Sequence, residues 1–270
     1  MTEALSREWS FTADELAALT SRTPGAGSQP VLGLRPRHAT VEVRNAAVSH
    51  AVHTLTHRGV IVDGVVDPEA VAALHALRRP DRELAMRMVT PVGFGRVSVV
   101  RRGRSAVMGR RVGDRLDVRF LGPGIEPSAL VATLLGELPT APPASVAPVG
   151  APLAEMTEAL SESHDPLVLA DRIRALGAPQ QTAMLLGSAL GSRQAFAEIV
   201  YSALLEGEDV IARVPAAVAV LYTARGRVIA VPSVSPSGQL WSTLKPGSDQ
   251  VFGQAISQLV ELSAERGEVG

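Results

Sequence analysis

Residues 97–124, VSVVRRGRSAVMGRRVGDRLDVRFLGPG, read as three short strands separated by two tight turns. Val97 to Val100 is an apolar strand, and Arg102-Gly103-Arg104 forms a turn. Ala106 to Arg111 is the second strand, Gly113-Asp114 the second turn, and Leu116 to Leu121 the third strand. Gly-Asp suits a two-residue hairpin loop because both residues tolerate the φ values that such loops need. Residues 218–247, VAVLYTARGRVIAVPSVSPSGQLWSTLKPG, repeat the pattern. Val218 to Tyr222, Val228 to Val231 and Leu240 to Leu244 are strands, with turns at Arg225-Gly226-Arg227 and Ser237-Gly238. Arg-Gly-Arg and the following Leu-x-Pro-Gly recur at one common offset of 123 positions, and each block runs into a helix after its Pro-Gly. Two matches at one offset within matching strands predict an internal duplication with quasi-twofold symmetry, Gly103 matching Gly226 and Pro123 matching Pro246.

Helical patterns surround these hairpins. In Val41 to Arg58, the residues Val48, Ala51, Val52 and Leu55 share one face. Asp67-Pro68 opens a helix carrying Val71, Leu74 and Leu77 that stops before Pro80. Leu153 to Leu160, Leu167 to Leu176 and Pro179 to Leu190 read as three further helices. Asp249 to Ala264 is the last, with Ser248 as its N-cap. Hairpins plus segregated helices give an α+β class with a central antiparallel sheet. Prolines cluster in Arg22 to Pro36 and in Pro139 to Pro152, where neither helix interior nor central strand is expected. The expected division is therefore an N-terminal half over 1–138, a Pro-rich linker over 139–152 and a C-terminal half over 153–270, forming one compact unit.

Composition narrows the function. At 270 residues and 46% hydrophobic content, the chain can bury a proper core. It contains no cysteine, which excludes disulfides, thiolate metal sites and a cysteine nucleophile. Its single lysine, Lys245, is followed by Pro246-Gly247, so there is no Walker-type phosphate loop. Gly-x-Ser-x-Gly is absent, and Gly93-Phe94-Gly95 does not extend into a dinucleotide fingerprint. No enzyme and no cofactor is expected. His50, His53 and His57 lie opposite the apolar stripe of their helix, toward solvent, so no metal site is expected there. Met1 to Ser10 carries Glu3, Arg7 and Glu8 and no apolar run, and the longest apolar stretch, Val214 to Ala224, contains Pro215 and falls short of the ~18 residues of a membrane helix. A cytoplasmic protein without membrane insertion is expected.

Charge is uneven. Residues 1–138 hold 18 Arg against 14 acids, whereas residues 139–270 hold 8 Lys plus Arg against 13 acids. Eight of the arginines fall between Arg96 and Arg119, and such a ribbon could track phosphates, which makes a nucleic-acid-binding regulator the alternative function. Near-neutral net charge and 3% aromatic content weigh against it.

The run Arg58-Gly59-Val60, Asp63-Gly64, Val65-Val66-Asp67-Pro68, Leu77 and Arg79-Pro80-Asp81-Arg82-Glu83-Leu84 resembles the EspG family of actinobacterial type VII (ESX) secretion systems. So does Arg225-Gly226-Arg227, Val231-Pro232-Ser233, Ser237-Gly238-Gln239, Trp241-Ser242-Thr243 and Pro246-Gly247-Ser248-Asp249. The Arg-rich, Lys-poor composition suits a high-GC actinobacterial source. The resemblance implies a cytosolic specificity chaperone that holds the hydrophobic helical tip of PE/PPE-type heterodimers, or of a similar helical-hairpin substrate, and delivers it for secretion. It also implies a central antiparallel sheet flanked by two helical bundles. It carries over no catalytic or recognition motif residue by residue.

For the partner-binding patch, the strand Arg82 to Val89 sets Leu84, Met86 and Met88 on one face, and the following turn carries Val92 and Phe94. In the second half Ile199, Tyr201, Ala203 and Leu205 alternate likewise. Methionine repacks readily against varied apolar partners, and Tyr201 pairs apolar area with a hydroxyl. Met88, Val92, Phe94 and Tyr201 are therefore the expected partner-binding residues; an open apolar surface of this kind also admits a second copy of the chain as a homodimer.

Overall fold

The computed structural model describes residues 7–23, 32–33, 38–205 and 210–267. Most of the first Pro/Gly-rich segment and the first six residues lie outside them. Chain contacts define two units, Met1–Ala85 with Gly95–Glu126, and Met86–Phe94 with Pro127–Gly270. This division differs from the expected one. The segment 86–94 and the helix that begins at Pro127 both go with the second unit, because a helix joins whichever element covers its apolar side chains, not its nearest neighbour in sequence.

The first unit begins with strand β1 (Glu8–Thr12) and helix α1 (Ala13–Arg22). Their junction is a capping box: the Thr12 hydroxyl accepts from the Glu15 N–H at 3.2 Å, and the Glu15 carboxylate accepts from the Thr12 N–H at 2.8 Å. Helix α2 (Val41–His57) buries Ala51 and Leu55 as its stripe predicts. The hairpin β2 (Ile61–Val62) and β3 (Val65–Val66) turns through Asp63 and Gly64, both at positive φ. In α3 (Pro68–Arg78) the Asp67 carboxylate caps the Glu69 N–H at 2.9 Å. Strands β4 (Arg82–Thr90), β5 (Gly93–Arg102), β6 (Ser105–Val112) and β7 (Arg115–Pro123) follow. Hydrogen-bonded neighbours run β1-β7-β6-β5. Phe11, Leu55, Leu74, Leu77, Val107 and Leu116 share this unit's core.

The second unit holds α4 (Pro127–Gly136), β8 (Val149–Pro152), α5 (Leu153–Leu160), α6 (Pro166–Ala175) and α7 (Gln180–Gly191). It continues with β9 (Arg193–Leu204), β10 (Ile211–Arg213), β11 (Val218–Thr223), β12 (Gly226–Val234), β13 (Leu240–Pro246) and α8 (Asp249–Gly267). Strand neighbours run β9-β11-β12-β13-β8, with β10 on β9. Strand β8 lies inside the expected linker; as an edge strand on β13 it tolerates Pro152, whose missing N–H is not needed on an open edge. The Ser248 hydroxyl caps α8 by accepting from Val251 N–H at 3.2 Å. With a large antiparallel sheet and eight helices among the described residues, the class is α+β as expected.

Strand parity separates two faces of the second unit. Phe196 pairs with Leu221, and Leu221 with Val228, so these residues share one face with Ala219 and Ala230. Leu221, Val228 and Ala230 form one core with Met156, Leu169, Ile173 and Leu186 of α5, α6 and α7, and Phe196 and Ala219 pack against it. The odd residues of β9, among them Ala197 and Ile199, point to the opposite face, where α8 packs.

The duplicated blocks keep one register and lose another. Ser105 pairs with Pro123, and Val228 with Pro246, so the β6–β7 and β12–β13 ladders match at the offset of 123 over their first two pairs, after which β6–β7 slips by one residue and β12–β13 does not. The first hairpins do not. Gly103 lies in the turn between Arg102 and Ser105, but the second hairpin closes on Thr223 and Gly226, so Gly226 is already in β12. Gly226 is needed for close approach instead: at φ +106°, a Cβ there would stand 2.8 Å from the Pro142 carbonyl oxygen. Next to it Arg227 is 2% exposed. Its Nε donates to the Gly247 carbonyl at 2.5 Å, and its guanidinium pairs with the Asp249 carboxylate. Arg-Gly-Arg and Pro-Gly-Ser-Asp are thus two halves of one buried lock at the start of α8.

Candidate functional site

The face of the second unit that carries Phe196 is not fully covered by its helices. A groove of about 490 Å³ opens there, floored by Phe196, Ala219, Leu221 and Ala230 and walled by Met156 and Leu160. Arg87 of β4 and Arg193 and Glu198 of β9 bring charge into an otherwise apolar lining. The β9–β11 ladder slips by one residue between the pairs Ala195–Tyr222 and Arg193–Thr223. Such a slip re-aims a side chain, and here the Arg193 guanidinium lies 5.9 Å from the Phe196 ring centroid, within cation–π range.

The expected partner-binding residues separate. Val92 is 98% exposed and Phe94 56% exposed, on a β4–β5 turn pinned by the Thr90 hydroxyl donating to the Gly93 carbonyl at 3.0 Å. Met88 is half-buried and by alternation lies on the face of β4 opposite Arg87. Tyr201 is corrected: it is 5% exposed and sits with Ala197 and Ile199 on the face where α8 packs, not on an accessible surface. Alternation along β9 is legible in the sequence; which parity stays open is not. The even residues Phe196 and Glu198 line the groove, and a reading that follows the more apolar odd residues passes them over.

His50, His53 and His57 are exposed on α2, and among the described residues no three metal-ligating side chains cluster. The arginines of residues 96–119 do not form a row. Neighbours such as Arg101 and Arg102 point to opposite faces, and backbone carbonyls accept from several of them: Gly103 from Arg101, His75 from Arg102, and Leu32 from Arg111. Two groups with raised pKa lie outside the groove lining. Burial pushes the Glu83 carboxyl up, partly offset by the Ser98 hydroxyl that donates to it at 2.6 Å. Burial likewise raises the Tyr222 hydroxyl, opposed by the positive charge of the nearby Arg227 guanidinium. No helix among the described residues is long and apolar enough to cross a membrane.

The EspG family model matches residues 12–258. The chain belongs to the EspG family. It is 28% identical over 255 residues to the ESX-1 secretion-associated protein EspG1 of Mycobacterium marinum, covering 93% of this chain and 87% of that protein. Over 238 residues it is 28% identical to the ESX-3 secretion-associated protein EspG3 of Mycolicibacterium smegmatis, covering 87% of this chain and 80% of that one. Its fold matches that of the Mycobacterium tuberculosis type VII secretion system chaperone EspG5, solved in complex with the PE25-PPE41 dimer. The TM-score is 0.80 at 19% identity, over 95% of this chain and 96% of that chain.

Proposed function

We propose that this EspG-family protein is a cytosolic, non-enzymatic chaperone that holds the hydrophobic helical tip of a PE/PPE-type dimer and delivers it to a type VII secretion system. The observation that carries the reading is the open apolar groove of the second unit, in a unit that also presents Val92 and Phe94 to solvent. Exposed apolar surface of this kind is stabilised by covering it, and a helical tip supplies matching apolar side chains. Val92 and Phe94 are proposed to extend the contact beyond the groove; Met88, on the face of β4 away from it, is not part of it. The dispersal of the arginines over two faces, with carbonyl partners, favours this over a phosphate-tracking role.

The test is co-expression with a PE/PPE dimer from the same genome, followed by size-exclusion chromatography at about 0.1 M and about 1 M salt. Apolar capture persists at high salt, whereas phosphate binding weakens steeply. Phe94→Asp is expected to abolish co-elution while changing stability by only about 0.5 kcal/mol, since it is an exposed site. Co-elution unaffected by Phe94→Asp would misplace the hairpin's role, and salt-labile recovery of nucleic acid without a client would overturn the reading.

A further inference from the structure

The groove is not electrically uniform. Arg193 and Glu198 lie on the same strand and both line it, about 13 Å of strand apart once the slip beside Arg193 is counted. Neither makes an ion pair among the described residues, and Arg87, which lines the same groove from β4, makes none either. Arg193 and Glu198 are half-buried, whereas Arg87 is exposed; a charge partly removed from water without a counter-charge is costly, and a partner that supplies the opposite charge recovers that cost. Arg193 is also held in advance. The slip in the β9–β11 ladder brings it to the groove, and its guanidinium lies within cation–π range of the Phe196 ring, a planar fork that a carboxylate can match.

We propose that the groove reads charge as well as apolar shape: an acidic side chain beside the client's apolar tip residue pairs with Arg193, at the end of the groove away from Glu198. The occupant is thus a helical-hairpin tip with an aliphatic or aromatic side chain over Phe196 and Leu221 and an Asp or Glu next to it. Glu198 repels the same carboxylate at the other end, so the pair fixes the direction in which the tip is laid down. This rests on the groove being the client site, and it adds what that site selects.

Two synthetic helical-hairpin peptides, closed by a disulfide and differing only in Asp or Lys next to a tip Leu, serve as probes in fluorescence anisotropy with the full chain. The Asp peptide is expected to bind about tenfold more tightly than the Lys peptide, the scale of one well-placed charge pair. Arg193→Glu inverts the order, while Glu198→Ala preserves it. Arg193→Gln, which keeps most of the side chain's packing, brings the two affinities together and stands in should Arg193→Glu fail to fold. Affinities that differ by less than about a factor of two in the parent protein overturn the charge reading and leave the groove as the client site. An order that survives Arg193→Glu does the same. If neither peptide binds, the groove is not the client site and the proposal falls with it.

Discussion

Removing the Arg227 side chain tests whether the most distinctive sequence motif is architectural. The side chain is 3% exposed and donates from Nε to the Gly247 carbonyl, while its guanidinium reaches an Asp249 carboxylate that is itself 70% exposed. Arg227→Ala deletes a charged hydrogen bond to a carbonyl, about 1.5–3 kcal/mol. It also unpacks a buried aliphatic stem, roughly 1.5 kcal/mol at about 0.8 kcal/mol per methylene. Asp249 returns to water, so losing that pair adds at most about 1 kcal/mol. The expected loss is about 3–5 kcal/mol, a large part of the roughly 5–15 kcal/mol stability of a typical domain. Asp249→Ala, with its carboxylate exposed at the helix start, is expected to cost about 1 kcal/mol or less. Arg227→Lys keeps charge and stem but cannot serve both acceptors, and falls between them. Trp241 lies in the second unit and Trp9 in the first, so urea unfolding followed by fluorescence in a Trp9→Phe parent reports on the unit that holds the lock. If Asp249→Ala costs as much as Arg227→Ala, or if Arg227→Ala costs under about 1 kcal/mol, the buried-lock account is wrong.

The duplicated glycines are expected to behave differently. A Cβ on Gly103, at φ +54°, meets nothing within 4 Å, so Gly103→Ala costs about 1 kcal/mol of backbone strain. Gly226→Ala drives a Cβ into the Pro142 carbonyl and is expected to cost about 3 kcal/mol or more, read by Trp241, while Gly103→Ala is read by Trp9 in a Trp241→Phe parent. Equal costs would mean the two glycines serve the same purpose after all. Glu83 gives a pH-dependent outcome. Its pKa is raised in the folded state, so its contribution is full below the ordinary value of 4.5 and is lost as pH rises through the folded value. Glu83→Gln, which can still accept from the Ser98 hydroxyl, should therefore gain stability over the parent as pH rises above 4.5 through the folded value. A difference that is flat or shrinks with pH would refute this.

Much of the fold was legible because its signals are local. Asp67-Pro68, Asp165-Pro166, Pro179 and Ser248 place helix starts within a residue or so of their observed positions, and Gly113-Asp114 places a hairpin turn. Such signals act through caps and turn φ values that involve only neighbouring residues. Thr12-x-x-Glu15 is an equally local capping-box signal that hydrophobic periodicity passes over, and α1 is not among the expected helices.

The two three-stranded blocks, their turns and most of the helices can be read from the chain, because alternation and turn chemistry are properties of short segments; β1, β8 and β10, which exist as edge partners of other strands, cannot. Tertiary structure alone decided which face of each strand is covered. Tyr201 and Phe196 both lie on β9 at positions any alternating strand provides, yet Tyr201 is on the face where α8 packs and Phe196 floors a groove. It also decided that Gly226 serves close approach where Gly103 serves a turn, because the segment at Pro142 passes beside one glycine and leaves the other open. Burial is set by elements distant in the chain, and a strand's own residues carry no record of what will be laid over them.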